Sequence, residues 1–226
     1  MSNISAVLFD LDGLLADTED LHVKAYSLAF EEFGITLTDE EIYRGMGVPT
    51  RDNVVRIMND HGIPQKRFAK MIELRYDAYY SLTQSTPISF MEGAVDLLQL
   101  VKEKGLKRAL VTSSIKEHGM AVLSNLQKQI KSALRLDGYF DVKVFGDEIT
   151  DNKPEPEIYL KAVERLNLEP FRCLALEDSE TGVVSAKRAG INVFAVPNKY
   201  SVGQNFDRAD RVIPSLGEIV RSGLIG

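Results

Sequence analysis

Thiols are nearly absent from this chain of 226 residues. Cys173 stands alone, so an intrachain disulfide is impossible and a multi-thiolate zinc site is excluded. It sits in the apolar run Cys173-Leu174-Ala175-Leu176, which suits a buried structural thiol better than a nucleophile. Long hydrophobic runs are missing too. No stretch approaches membrane-spanning length, and the opening MSNISAVLFDLDG meets charge too early for a secretory apolar segment. No membrane partner is expected, and a cytoplasmic monomer is the default expectation. Positive charge is not in excess: 27 Lys and Arg face 33 Asp and Glu, a net charge of −6. That balance argues against a nucleic-acid partner, whereas small anionic ligands answer to local charge. Internal repeats and low-complexity linkers are absent as well.

What is present is the composition of a globular protein, 44% apolar and 27% charged, with length for one large domain or a core with a smaller insertion. The chain is organised around Phe9 to Glu19, FDLDGLLADTE, directly after the apolar Ala6-Val7-Leu8. Asp10 and Asp12 flank one leucine and precede Gly13. A buried strand would deliver both carboxylates to its carboxyl end, where open α/β sheets place their ligand sites. Carboxylates this close ionise together only beside a cation or strong donors, which makes Mg²⁺ plausible. One could attack phosphorus while its neighbour handles the leaving-group proton. Taken alone, the same residues also fit a surface turn that binds nothing.

Between Thr18 and about Ser85 the apolar spacing is helical and no strand is expected. Leu21, Ala25, Leu28 and Ala29 share a face, Gly34 marks a stop, and Thr38 with its acidic followers opens a short second helix. From Met91 onward helices alternate with short β-branched runs, the pattern of βαβ units and a parallel sheet. Strands are expected at 108–112, 142–145, 173–176, 193–196 and 211–213. Helices are expected at 95–104, 115–136, 155–166, 181–189 and 216–220. The fold class is therefore α/β, a Rossmann-like parallel sheet core with an inserted all-helical cap domain. Residues 1–15 and 91–226 form the catalytic core, 16–90 form the cap, and hinges lie near 15–18 and 89–93.

Three later loops carry chemistry. Thr112-Ser113-Ser114 ends a strand with three hydroxyls before a helix, suiting either a phosphate or an ordinary N-cap. Lys153 precedes a helix that prolines should initiate. A cation gains nothing at a helix N-terminus, so Lys153 needs an anionic partner, either phosphate oxygens or a carboxylate. Glu177-Asp178 closes another apolar strand. If that strand lies beside the first, Asp10 and Asp178 converge and can share a hard cation. Capping explains one such loop but not the recurrence of chemistry in four.

These residues resemble the haloacid dehalogenase superfamily, in its phosphatase and phosphomutase branch with a small helical cap after the first strand. Its four motifs are matched in order by Asp10-Leu11-Asp12-Gly13, Thr112, Lys153-Pro154 and Glu177-Asp178, and the resemblance spans nearly the whole chain. It implies Asp10 as nucleophile, Asp12 as general acid/base, and Thr112 and Lys153 on the phosphoryl oxygens, with Ser113 beside them. It further implies Mg²⁺ held by Asp10, the Asp12 carbonyl and Asp178, with Glu177 as ligand or supporting partner. An acid at Asp12 favours phosphate esters over organohalides, because the leaving alkoxide needs a proton. Expected partners are Mg²⁺ and a small phosphorylated metabolite, a sugar phosphate foremost. His22, Arg51 and Arg75 are the cap residues expected to select the leaving group. The pattern also resembles β-phosphoglucomutase, although the segment 115–138 and the loop around Pro49 depart from it. A non-catalytic binding protein on the same fold is a third reading, which the intact motifs disfavour.

Overall fold

Ala6–Phe9 (β1) is fully buried, as a strand must be when helices cover both faces of its sheet. Val7 and Phe9 join the apolar cluster on one face, and Ala6 and Leu8 join the cluster on the other, the period of two that a strand imposes. The computed structural model describes residues 4–130, 134–136 and 138–225. Among these, β1 is followed by Lys107–Thr112 (β2), Val142–Phe145 (β3), Cys173–Glu177 (β4), Asn192–Ala195 (β5) and Arg211–Val212 (β6). All pair in parallel in the order β3-β2-β1-β4-β5-β6. The opening strand thus lies at the centre, with Phe9 level with Leu110 on one side and Leu176 on the other.

Ala94–Glu103 (α5), Lys116–Gln127 (α6) and Leu216–Ser222 (α9) cover one face through Leu97, Leu98, Val122, Leu126 and Ile219. Glu157–Leu166 (α7) and Glu180–Arg188 (α8) cover the other through Ile158, Tyr159, Ala162, Val183 and Ala186. The result is an α/β fold, a Rossmann-like parallel sheet between helical layers. Cys173 is buried in the second face, as its apolar run suggested.

The stretch between β1 and α5 is helical: Glu19–Glu31 (α1), Asp39–Tyr43 (α2), Thr50–Asp60 (α3) and Phe68–Ser85 (α4). Thr38 and Glu41 form a capping box at α2, satisfying donors that a short helix otherwise leaves open. Tyr26, Phe30, Ile57, Met58, Met71 and Ile72 pack a cluster of their own, while Leu21, Ala25, Tyr79 and Leu82 join the cluster on the sheet. Chain enters and leaves this block side by side. Asp17 N–H donates to the Ser89 carbonyl at 2.9 Å and Met91 N–H to Leu15 at 3.0 Å.

Several boundaries move from expectation, most by a residue or two, and two of the shifts have a side-chain cause. Helix α7 starts at Glu157, not Glu155, and Pro156 stands at its N-cap. The residues before it spend their polar groups on a turn: Thr150 and Asp151 N–H donate to the Glu157 carboxylate, and the Glu155 carbonyl accepts from Ser185. Helix α6 ends at Gln127. The Gln127 side chain accepts from Leu136 N–H at 2.7 Å; the rest of the expected helix includes 131–133, which lie outside the described residues.

Candidate active site

The carboxyl ends of β1, β2 and β4 open onto one cavity beneath the helical block. Asp10, Asp12, Thr112, Ser113, Lys153 and Asp178 line it from the sheet side, and Glu19, His22, Tyr26 and the 45–50 loop line it from the helical side. Gly13 is required where the chain turns away from β1. Its φ is +77°, and a Cβ there would fall 2.4 Å from Asp178 Oδ2. Only glycine meets both demands without strain.

Lys153 is drawn onto carboxylates, as its placement demanded. Its ammonium lies 2.5 Å from Asp10 Oδ1 and 2.7 Å from Glu177 Oε1, and donates to the Val111 carbonyl at 3.1 Å. It is 4% exposed. Burial alone would lower its pKa, but Asp10 and Glu177 more than offset that and raise it. Tyr159 donates its hydroxyl to the same Glu177 oxygen, and Glu177 Oε2 is buried without a partner among the described residues. Glu177 thus anchors the lysine from behind.

Asp12 is surrounded by donors. Thr18 and Tyr79 hydroxyls each donate to Oδ1 at 2.8 Å, and Ser114 and Thr112 donate to Oδ2 at 2.7 and 3.3 Å. Burial opposes ionisation, yet the bonds from His22, Ser114 and Tyr79 win and hold its carboxyl well below the usual range. His22 Nε2 lies 3.4 Å from Asp12 Oδ1, while Nδ1 is 2.5 Å from an Arg75 guanidinium nitrogen. Arg75 can only donate, so Nδ1 accepts and the ring proton sits on Nε2, facing Asp12.

The remaining carboxyls are frustrated. Burial first, then Glu177 and Asp12, push Asp10 up to about 8 despite Lys153. Burial and the neighbouring Asp12 and Asp10 push Glu19 up to about 8. Asp178 is raised by burial and by Asp10, Glu19 and Glu177. Ligand oxygens of Asp10, Glu177 and Asp178 lie within 4.8 Å of one another. An oxygen-only donor set of three carboxyls sharing one ammonium, Lys153, fits a hard divalent cation such as Mg²⁺.

Of the residues expected to select a leaving group, only His22 lines the cavity. Arg51 is exposed with its guanidinium over the Phe68 ring at 5.0 Å, and it borders an adjoining groove with Tyr76 and Asn152. Arg75 is 1% exposed and lies behind the wall, between the rings of Tyr26 and Tyr79 at 4.6 and 5.0 Å. Its neighbours are aromatic faces, which hold a guanidinium away from the cleft. Ser113 lines the cavity but donates to Asn152 at 2.7 Å. Sequence reasoning missed Thr18, Ser114, Tyr79, Glu19, Tyr159 and Asn198. Ser114 was within reach, since it belongs to the hydroxyl run already singled out. Tyr79 was not, because its hydroxyl meets Asp12 across 67 positions of chain.

Residues 7–196 match the haloacid dehalogenase-like hydrolase family. A phosphorylated carbohydrates phosphatase of Thermotoga maritima is 36% identical over 205 residues, covering 89% of each chain. Protein CbbY of Rhodobacter capsulatus is 30% identical over 218 residues, covering 94% of each. The crystal structure of a CbbY variant from Rhodobacter sphaeroides in complex with xylulose-(1,5)bisphosphate superposes with a TM-score of 0.84 at 28% identity, covering 96% of both chains.

Proposed function

Since the chain belongs to the haloacid dehalogenase-like hydrolases and is a hydrolase of phosphate esters, we propose that its substrate is a small phosphorylated carbohydrate, cleaved through a phosphoryl group carried on Asp10. Residues 16–90 act as the cap over a core of 1–15 and 91–226. The observation that carries this reading is the pairing of two aspartates from one strand end with opposite surroundings. Asp10 is joined to Lys153, and Asp12 is saturated by hydroxyls.

An oxygen of Asp10 attacks phosphorus, and the bond to the leaving oxygen breaks. Lys153 and Thr112 hold the transferring oxygens, whose charge the transition state spreads. Asp12 supplies the proton that the leaving alkoxide needs. In the state described, its donors favour the carboxylate, which is the form of a base. A phosphate dianion entering the cavity adds negative charge beside it and favours the protonated form. Water then attacks the phosphoryl group, gives its proton to Asp12, and releases phosphate with Asp10 restored. Asp10, Asp178 and the Asp12 carbonyl are the groups to hold Mg²⁺, which when bound supplies positive charge against the phosphoryl oxygens. Glu177 serves by anchoring Lys153.

The test is phosphate release from a panel of sugar phosphates and nucleotides with Mg²⁺, comparing the parent with Asp10→Asn and Asp12→Asn. Release from sugar phosphates by the parent, abolished in Asp10→Asn and reduced at least about 100-fold in kcat with KM little changed in Asp12→Asn, is the expected result. Near-normal turnover by Asp12→Asn sinks its role. Isomerisation of β-glucose 1-phosphate without phosphate release would make the chain a mutase instead.

A further inference from the structure

The loop after β5 reaches both the site and the helical block. Asn198 Nδ2 donates to Asp178 Oδ2 at 2.8 Å and to the Gly13 carbonyl at 3.1 Å. Its Oδ1 accepts from the backbone N–H groups of Tyr200 at 2.8 Å and Ser201 at 3.2 Å. Two donors on one side and two acceptors on the other fix the orientation of the amide. The next two residues grip α1. Lys199 Nζ lies 3.1 Å from both oxygens of Asp20, and the Tyr200 hydroxyl donates to the same carboxylate. The Tyr200 ring packs edge-on against Tyr43 at 5.0 Å. Further along, Gln204 donates to the Met46 carbonyl at 3.0 Å while accepting from Glu180 N–H at 2.8 Å. Thr181 donates to the Gly47 carbonyl.

We propose that Asn198 is a positioning residue for Asp178, and that the Lys199–Tyr200 grip on Asp20 sets it, so that cation affinity depends on the docking of α1. The inference rests on the reading of Asp178 as a Mg²⁺ ligand. A residue that merely closed its own turn would need only the Oδ1 side of the amide. Asn198 spends both hydrogens of its Nδ2 outward, on Asp178 and on Gly13. Asp178 needs this help more than most carboxylates do. Its ligand oxygen lies within 4.8 Å of those of Asp10 and Glu177, and the donated hydrogen bond orients it among them. The loop therefore links the position of the helical block to the carboxylate that completes the cation site.

The test is Mn²⁺ binding, as an oxygen-ligated stand-in for Mg²⁺, counted by electron paramagnetic resonance without substrate. Asn198→Ala is expected to weaken binding about tenfold and Asp20→Asn about threefold. The double variant is expected to be no weaker than Asn198→Ala, because the grip then has nothing to act through. Ser201→Ala, which removes only the hydroxyl that accepts from Asn198 N–H, should stay within about twofold of the parent. Parent-like binding by Asn198→Ala, or additive losses in the double variant, overturns the proposal. Asp20 is 64% exposed in its side chain, so Asp20→Asn folds even where Asn198→Ala does not, and parent-like binding there overturns the coupling by itself. Asp178→Asn separates the two levels. If it abolishes binding while Asn198→Ala binds like the parent, only this proposal fails. If it leaves binding intact, the assignment of the cation site fails and takes the proposal with it.

Discussion

Arg75 is a guanidinium kept from water, 1% exposed, with its Nε unpartnered among the described residues and its terminal nitrogen on His22. Burial first lowers the pKa of His22; Asp12 raises it, and Arg75 lowers it further. Replacing Arg75 by Met keeps the unbranched stem against Tyr26 and Tyr79 and removes the charge. The attraction of Asp12 is then opposed by burial alone, so the His22 imidazole is expected to titrate at higher pH in Arg75→Met than in the parent, as read from its ring-proton NMR shifts. A titration that stays in place or moves down contradicts the assigned network. The same residue marks a limit of sequence reading. Arg75 and Arg51 look alike in the chain, both basic and both on helices, yet one is walled in by tyrosines and the other lies in solvent. That difference is made by the packing of α1 against α4, which no local pattern encodes. Asp10, Asp12, Lys153 and Asp178 were legible because each follows a strand or precedes a helix at one sheet edge. The donors around Asp12 come largely from elsewhere.

At the scale of elements, the start of α5 is pinned by close approach to α9. Gly93 has φ of +79°, and a Cβ there would lie 2.1 Å from the Gly217 nitrogen and 2.3 Å from its Cα, both backbone atoms. Gly93→Ala should therefore cost more than about 2 kcal/mol, combining left-handed strain with a backbone clash. Gly217→Ala meets side-chain atoms alone, the flexible end of Arg221 at 3.1 Å, Glu92 Oε1 at 3.4 Å and Ser215 Oγ at 3.6 Å, and should cost under about 1 kcal/mol. Urea unfolding of the two variants checks the contrast, and equal midpoints would refute it. Elements that follow from backbone chemistry were readable: short apolar runs such as Ala6–Phe9 and Cys173–Glu177 became strands, and Thr38 with Glu41 became a capping box. The start of α7 was not. Pro154 and Pro156 both suit a first helical turn, and the choice fell to side-chain bonds from Glu157 back to Thr150 and Asp151. Such bonds depend on a turn whose shape is set by the rest of the fold.

Over the whole molecule, the helical block meets the sheet layer where α4 packs on α6, and a histidine sits at the junction. His118 on α6 is 4% exposed among Tyr76, Tyr79 and Tyr80 of α4, at ring distances of 5.1, 5.2 and 6.3 Å. Burial, helped by Arg75 and His22 and opposed by Asp12, pulls its pKa from 6.5 down to about 4. The folded chain thus holds His118 neutral while the unfolded chain accepts a proton near pH 6.5. Its contribution to stability is complete above that pH, declines as pH falls toward about 4, and is flat below. By about pH 5 the loss attributable to His118 is about 2 kcal/mol. His118→Gln removes the titrating group, so the stability gap between parent and variant should shift by that amount in the variant's favour between about pH 7.5 and about pH 5. Urea unfolding at the two pH values measures the gap. Carboxyls elsewhere contribute the same pH dependence to both proteins, whatever its sign, and cancel in the difference. Curves that fall in parallel would mean that the junction does not depend on a neutral imidazole. A gap that shifts as calculated would mean that a neutral imidazole between α4 and α6 is part of what holds the folded chain together, and that acid weakens the fold through it.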